Sequence, residues 1–138
     1  MERQSRTFKL RLSPAGMDLL IDSHCHLIRS TRCLLAWGTT LQVAVSCLDM
    51  VPANVVIDRL GNIASAGLTG TEEHHLGAPK DLTVMANRIA QRVVESRPGD
   101  AAPMLSLIYI AALQQLTHTD CDTVREAHDR LRLTLVRI

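Results

Sequence analysis

Two histidines two residues apart, His24 and His26, follow the apolar run Leu19-Leu20-Ile21. In an extended segment alternate side chains leave by the same face. Such a pair would aim two imidazole nitrogens at one point, the donor set that binds a divalent metal such as zinc. On a helix the same two side chains splay apart. His74 and His75 follow Glu72 and Glu73 in a Gly-containing stretch and are additions to that metal set. Their competing reading is a solvated polar loop. His118, Cys121 and His128 have loose metal-like spacing without a second Cys pair, so packing is the simpler expectation there.

The string Ile21-Asp22-Ser23-His24-Cys25-His26-Leu27 resembles the opening of the TatD-like metal-dependent hydrolases, an apolar strand followed by D-S-H-C-H-L. The resemblance implies a metal-dependent hydrolase-like protein with His24 and His26 as ligands. It ends after Leu27. That family is built on a (β/α)8 barrel of about 250 residues, whereas this chain has 138. No further ligand set is recognisable downstream. There is no G-x-S-x-G elbow, no P-loop and no G-x-G-x-x-G. No catalytic residue is therefore assigned, and the expectation leans away from an enzyme.

Composition bounds the remaining readings. Hydrophobic residues make up 46% and charged residues 21%, a globular balance. With one Trp, one Tyr and one Phe, the core must be aliphatic, and stacking platforms for single-stranded nucleic acid are disfavoured. A net charge of +1 argues against nucleic acid as a partner. A helical DNA-binding regulator, with Lys80, Arg88, Arg92 and Arg97 on phosphates, is kept as a third reading. No apolar run is long enough to span a membrane, and no signal peptide is recognisable. The expected location is cytoplasmic, and Cys25, Cys33, Cys47 and Cys121 are expected to be free, buried thiols.

The elements that must position these residues are read from periodicity. Residues 1–16, with Arg3, Arg6, Lys9 and Arg11, read as a basic arm or a first edge strand closed by Ser13-Pro14-Ala15-Gly16. Residues 17–138 read as one α+β domain. Residues 17–37 are expected to be helical, with a strand through Ile21 as the alternative. Leu41, Val43, Val45 and Cys47 alternate with other residues and read as a strand. Residues 54–58 and 63–68 read as a hairpin turning at Gly61. Residues 69–79 read as a polar loop. The stripe Leu82, Met85, Ala86, Ile89, Val93 predicts a helix over 80–95. Pro103 opens a segment, 103–117, that is apolar nearly all round and reads as a helix with a buried strand competing. A last helix starts near Asp120. No internal repeat is visible.

The stretch from Leu48 to Ile63, with Val56-Ile57-Asp58-Arg59-Leu60-Gly61-Asn62-Ile63, resembles the opening of PAS sensor domains. The continuation Ala64-Ser65-Ala66-Gly67-Leu68 resembles the roadblock family of dimeric domains. These resemblances imply a sensor or scaffold. The fold expectation is α+β: a small antiparallel sheet packed by about three helices, with a helical C-terminal half. The leading functional expectation is a non-enzymatic regulatory or protein-interaction module. Its surplus apolar helix surface predicts a homodimer or protein partner through helices 80–95 and 103–117.

Overall fold

A computed structural model describes residues 6–78 and 80–136. The elements run β1 (Arg6–Leu12), α1 (Pro14–Thr31), α2 (Trp37–Asp49), α3 (Ala53–Ser65), β2 (Glu72–Ala78), α4 (Lys80–Ser96), α5 (Leu105–Thr117) and α6 (Cys121–Val136). The class is α+β, with a small antiparallel sheet and a helical second half, as expected, but the described residues form six helices where about three were expected. The sheet lies elsewhere than expected. Its two strands are β1, from the segment read as a basic arm or a first edge strand, and β2, from the segment read as a polar loop. Of residues 1–16, the first five lie outside the described part. Residues 40–68, expected as strands, fold into α2 and α3, so the hairpin behind the PAS and roadblock resemblances is replaced by a helix.

The order β-α-α-α occurs twice. Each element of the second half starts 66 to 68 residues after its counterpart: Arg6 and Glu72, Pro14 and Lys80, Trp37 and Leu105, Ala53 and Cys121. β1 and β2 pair antiparallel with Lys9 opposite His75, and these two are themselves counterparts. A pseudo-two-fold axis therefore runs between them. The halves interlock about it. α1 packs on α5 and α6, while α4 packs on α2 and α3, and α2 pairs with α5 at the centre. Burial follows the same correspondence. Leu20, Ser23 and Leu27 of α1 are buried, and so are Ala86, Ile89 and Val93 of α4.

Local chemistry explains the boundaries. Ser13 caps α1, its Oγ accepting from the Gly16 amide at 3.0 Å, and Pro14 opens the helix. Arg32 ends α1 in the left-handed region at φ 59°. Pro52 fixes the start of α3. The core is aliphatic except for one aromatic pair. Phe8 of β1 meets Tyr109 of α5 edge-to-face, ring centres 4.3 Å apart. Tyr109 is fully buried, and burial pushes its phenol pKa up. The apolar girth of α5 is covered inside the chain by α1, α2, α3 and α4, and the α4 stripe by α2, α3 and α5. The apolar surplus read from the sequence is thus absorbed by the intertwined fold.

Candidate nucleic-acid interface

The histidines do not gather. Residues 21–27 lie inside α1, where positions two apart diverge by about 200°. The strand that would align His24 and His26 is absent. His24 stacks on Trp37, ring centres 3.9 Å apart, and its Nδ1 lies 2.7 Å from Thr40 Oγ1. Desolvation lowers its pKa from the ordinary 6.5, favouring the neutral ring. His26 Nε2 lies 2.6 Å from the Thr119 carbonyl, just beyond α5, and donates to it. His74 and His75 are neighbours on β2 and face opposite sides of the ribbon. His74 Nε2 is 2.9 Å from Glu72 Oε1, while His75 is exposed beside Lys9. Among the described residues no three His, Cys, Asp or Glu side chains converge as a metal site would require.

The cysteines are free, but only Cys47 is buried. Burial pushes its thiol up to about 11, against a hydrogen bond with Thr119 and the charge of Arg130 that lower it. Cys33 and Cys121 are exposed and Cys25 is half-buried, which corrects the expectation that all four are buried. His128 is buried near the end of the core.

Of the basic residues assigned to phosphates, two are engaged. Arg88 Nη2 contacts Asp49 Oδ2 at 2.8 Å, and Arg92 donates to the Asp49 carbonyl at 2.9 Å. Cations at the C-terminus of α2 complement its dipole. His26 and Arg92 are counterparts, so each half grips the end of the other half's middle helix. Arg97 lies in a groove with Asp58 and Asp100. The Lys80 side chain lies outside the described set.

One exposed positive face is the ribbon. Leu10 and Leu12 of β1 turn inward and are buried, so Lys9 and Arg11 turn outward. On β2 the outward residues are Glu73, His75 and Gly77. Arg11 approaches Glu73 at 3.0 Å and Lys9 approaches the same carboxylate at 3.6 Å. Arg11 and then Lys9 hold the Glu73 carboxyl below the usual range. One carboxylate thus serves two cations, and the face keeps positive charge. A groove beside β1, lined by Lys9, Arg11, Thr69, Gly70, Met104 and Ser106, receives the N-terminus of α5. At the other end Gly38, in the first turn of α2, abuts the backbone of Gly77. Neither helix has a side-chain cap on its free amides. The ribbon is therefore flanked on both sides by an uncapped helix N-terminus.

From the sequence, Lys9 and Arg11 belong to a basic arm or a first edge strand and carry no assigned site. The signal that could have placed them is the alternation Phe8-Lys9-Leu10-Arg11-Leu12. Comparison with models of known protein families, with curated proteins and with solved structures finds no match for this chain. Among the described residues no helix is long and apolar enough to cross a membrane.

Proposed function

We propose that this protein is a non-enzymatic regulatory module that binds double-stranded DNA by laying its ribbon in the major groove. The observation that carries the reading is a two-stranded ribbon on a pseudo-two-fold axis with Lys9, Arg11 and His75 on its outward face. The major groove admits a two-stranded β-ribbon, and Lys and Arg both bond the O6 and N7 of guanine. Duplex DNA has two-fold symmetry of its own, so a module with a matching axis meets both strands alike. The uncapped N-termini of α2 and α5 offer amide donors to phosphates on either side of the groove. Arginines of α4 have no part in this version, because Arg88 and Arg92 hold Asp49.

The near-neutral net charge sets the strength expected. Few phosphates are neutralised, so non-specific affinity is modest and the salt dependence shallow. Lys9 corresponds to His75 and Arg11 to Gly77, so the preferred site is an imperfect palindrome. Fluorescence anisotropy with labelled duplexes at low salt, followed by selection from a duplex library, tests the reading. Lys9→Ala and Arg11→Ala should each weaken binding by about tenfold. Glu73→Gln should strengthen it by freeing both cations. Failure of the wild type to retain any duplex at low salt would sink the proposal, as would retention that is indifferent to Lys9 and Arg11.

A further inference from the structure

The outward face of α1 has a pattern that the interior of the molecule does not explain. Asp18, Ile21, Cys25 and Ile28 of α1 follow one another at alternating spacings of three and four, the repeat of a helix seam that packs on another helix, and Arg32, the left-handed residue that ends α1, follows four residues on. They lie opposite the buried stripe Leu20, Ser23, Leu27. Ile21 is 39% exposed, and Asp18 and Arg32 are exposed. Among the described residues, no ion pair involves Asp18, Asp22, Arg29 or Arg32. The fold does not demand this seam. At the corresponding positions of α4, Asn87 and Gln91 stand where α1 has Ile21 and Cys25, and Val84 and Val94 stand where it has Asp18 and Ile28.

The seam is complementary to itself. Its N-terminal half is acidic, through Asp18 and Asp22, and its C-terminal half is basic, through Arg29 and Arg32. When two such helices pack antiparallel about Cys25, Asp18 faces Arg32 of the second copy, and Ile21 faces the level of Ile28 and Arg29. The C-terminal half already presents a receiving groove. Ile28, Arg29, Arg32 and the 96% exposed Leu34 line this shallow depression. An acidic segment carrying one isoleucine is what that groove fits, and α1 of another copy supplies it.

We infer that a second copy of this chain docks antiparallel on α1, with Cys25 of each copy at the two-fold axis. This surface lies apart from the helices 80–95 and 103–117 first expected to carry a dimer, and it does not depend on DNA binding. One helix pair buries less than the ~800 Å² per partner of a standard interface, so the dimer is a concentration-dependent one.

Sedimentation velocity across a concentration series reads it directly. Asp18→Arg and Arg32→Asp should each weaken self-association by about tenfold or more, because two like-charged pairs then face each other. Mixing the two variants in equal amounts should restore a dimer, since each supplies the charge the other lacks. In a Cys33→Ser/Cys121→Ser background, a short bismaleimide should join two copies through Cys25, and Asp18→Arg should abolish the product. If a charge reversal unfolds the chain, Ile21→Lys replaces it as the disrupting variant. A wild type that stays monomeric throughout overturns the inference. So does a variant mixture that remains monomeric, or a Cys25 crosslink that ignores the charge reversals.

Discussion

The two halves share one architecture and solve its close contacts differently. In the first half, α1 and α2 meet the chain through glycines. A Cβ at Gly16 would lie 2.2 Å from the Leu68 carbonyl oxygen, and one at Gly38 would lie 2.2 Å from that of Gly77. The counterparts in the second half are Leu82, fully buried, and Ser106. The second half instead fills its centre with Tyr109, where the first has Leu41, and Phe8 of the first half meets that ring edge-to-face where the second has His74. One half approaches by removing side chains, the other by fitting a large one. A pseudo-symmetric fold can thus be held by non-equivalent packing, provided each close contact is satisfied where it occurs.

The comparison sharpens most at Tyr109. Tyr109→Ala should cost about 3–5 kcal/mol in denaturant unfolding, the range for a deleted core aromatic. Tyr109→Leu, which installs the residue of the first half, should recover much of that loss. Equal losses for both would mean that the aromatic contact with Phe8, rather than volume, dominates.

Gly38→Ala should lose about 1–3 kcal/mol as an overpacked contact against backbone. Ser106→Ala should be nearly neutral. A tolerated Gly38→Ala would break the claim that α2 needs glycine to reach β2.

Gly61 separates helix from hairpin. It lies within α3, and nothing stands within 4 Å of an added Cβ. Gly61→Ala should raise stability by about 0.5–1 kcal/mol, because alanine is the better helix former. A loss on thermal melting would mean that the segment turns at this position, unlike Asp129, its counterpart in α6.

The smallest expected effect is on pH. His24 has its pKa lowered in the fold, so below its ordinary 6.5 the unfolded chain binds more protons than the native one. Stability should therefore fall as pH drops below about 6.5, and this contribution should be flat above it. His24→Ala, which installs the residue found at Ala90, should remove that part of the slope. An unchanged profile would show that the stacked ring on Trp37 titrates like a free one.

The readable elements are those whose partners impose one-sided burial. α4 buries a single stripe, so its spacing alone located it to within a residue, and α5 and α6 were found near their observed starts. α2 misled because it is buried on most sides. Leu41, Val43, Val45 and Cys47 are all buried, but so are Ala44 and Leu48, and an apparent period of two arises where nearly every position is apolar. α3 misled because Gly61 and a run of β-branched residues mimic a turn between strands. The ribbon was only half visible. β1 alternates clearly, but β2 shows a weak pattern, Glu-Glu-His-His-Leu-Gly-Ala, and its partner lies more than sixty residues away.

By itself, the sequence determined the α+β class, the helical second half, the aliphatic core and the free thiols, because these follow from composition and local periodicity. It also displayed Lys9, Arg11, His24, His26, His74 and His75 as residues of interest. Only the tertiary structure decided which of them share a surface. It separated the histidines by placing two on a helix and two on opposite faces of a strand. It brought Lys9 beside His75 by closing a ribbon across the whole first half. The duplication was hidden for the same reason. The halves correspond in burial and position but seldom in residue, since a pseudo-symmetric core needs matched volumes at the axis and not matched side chains.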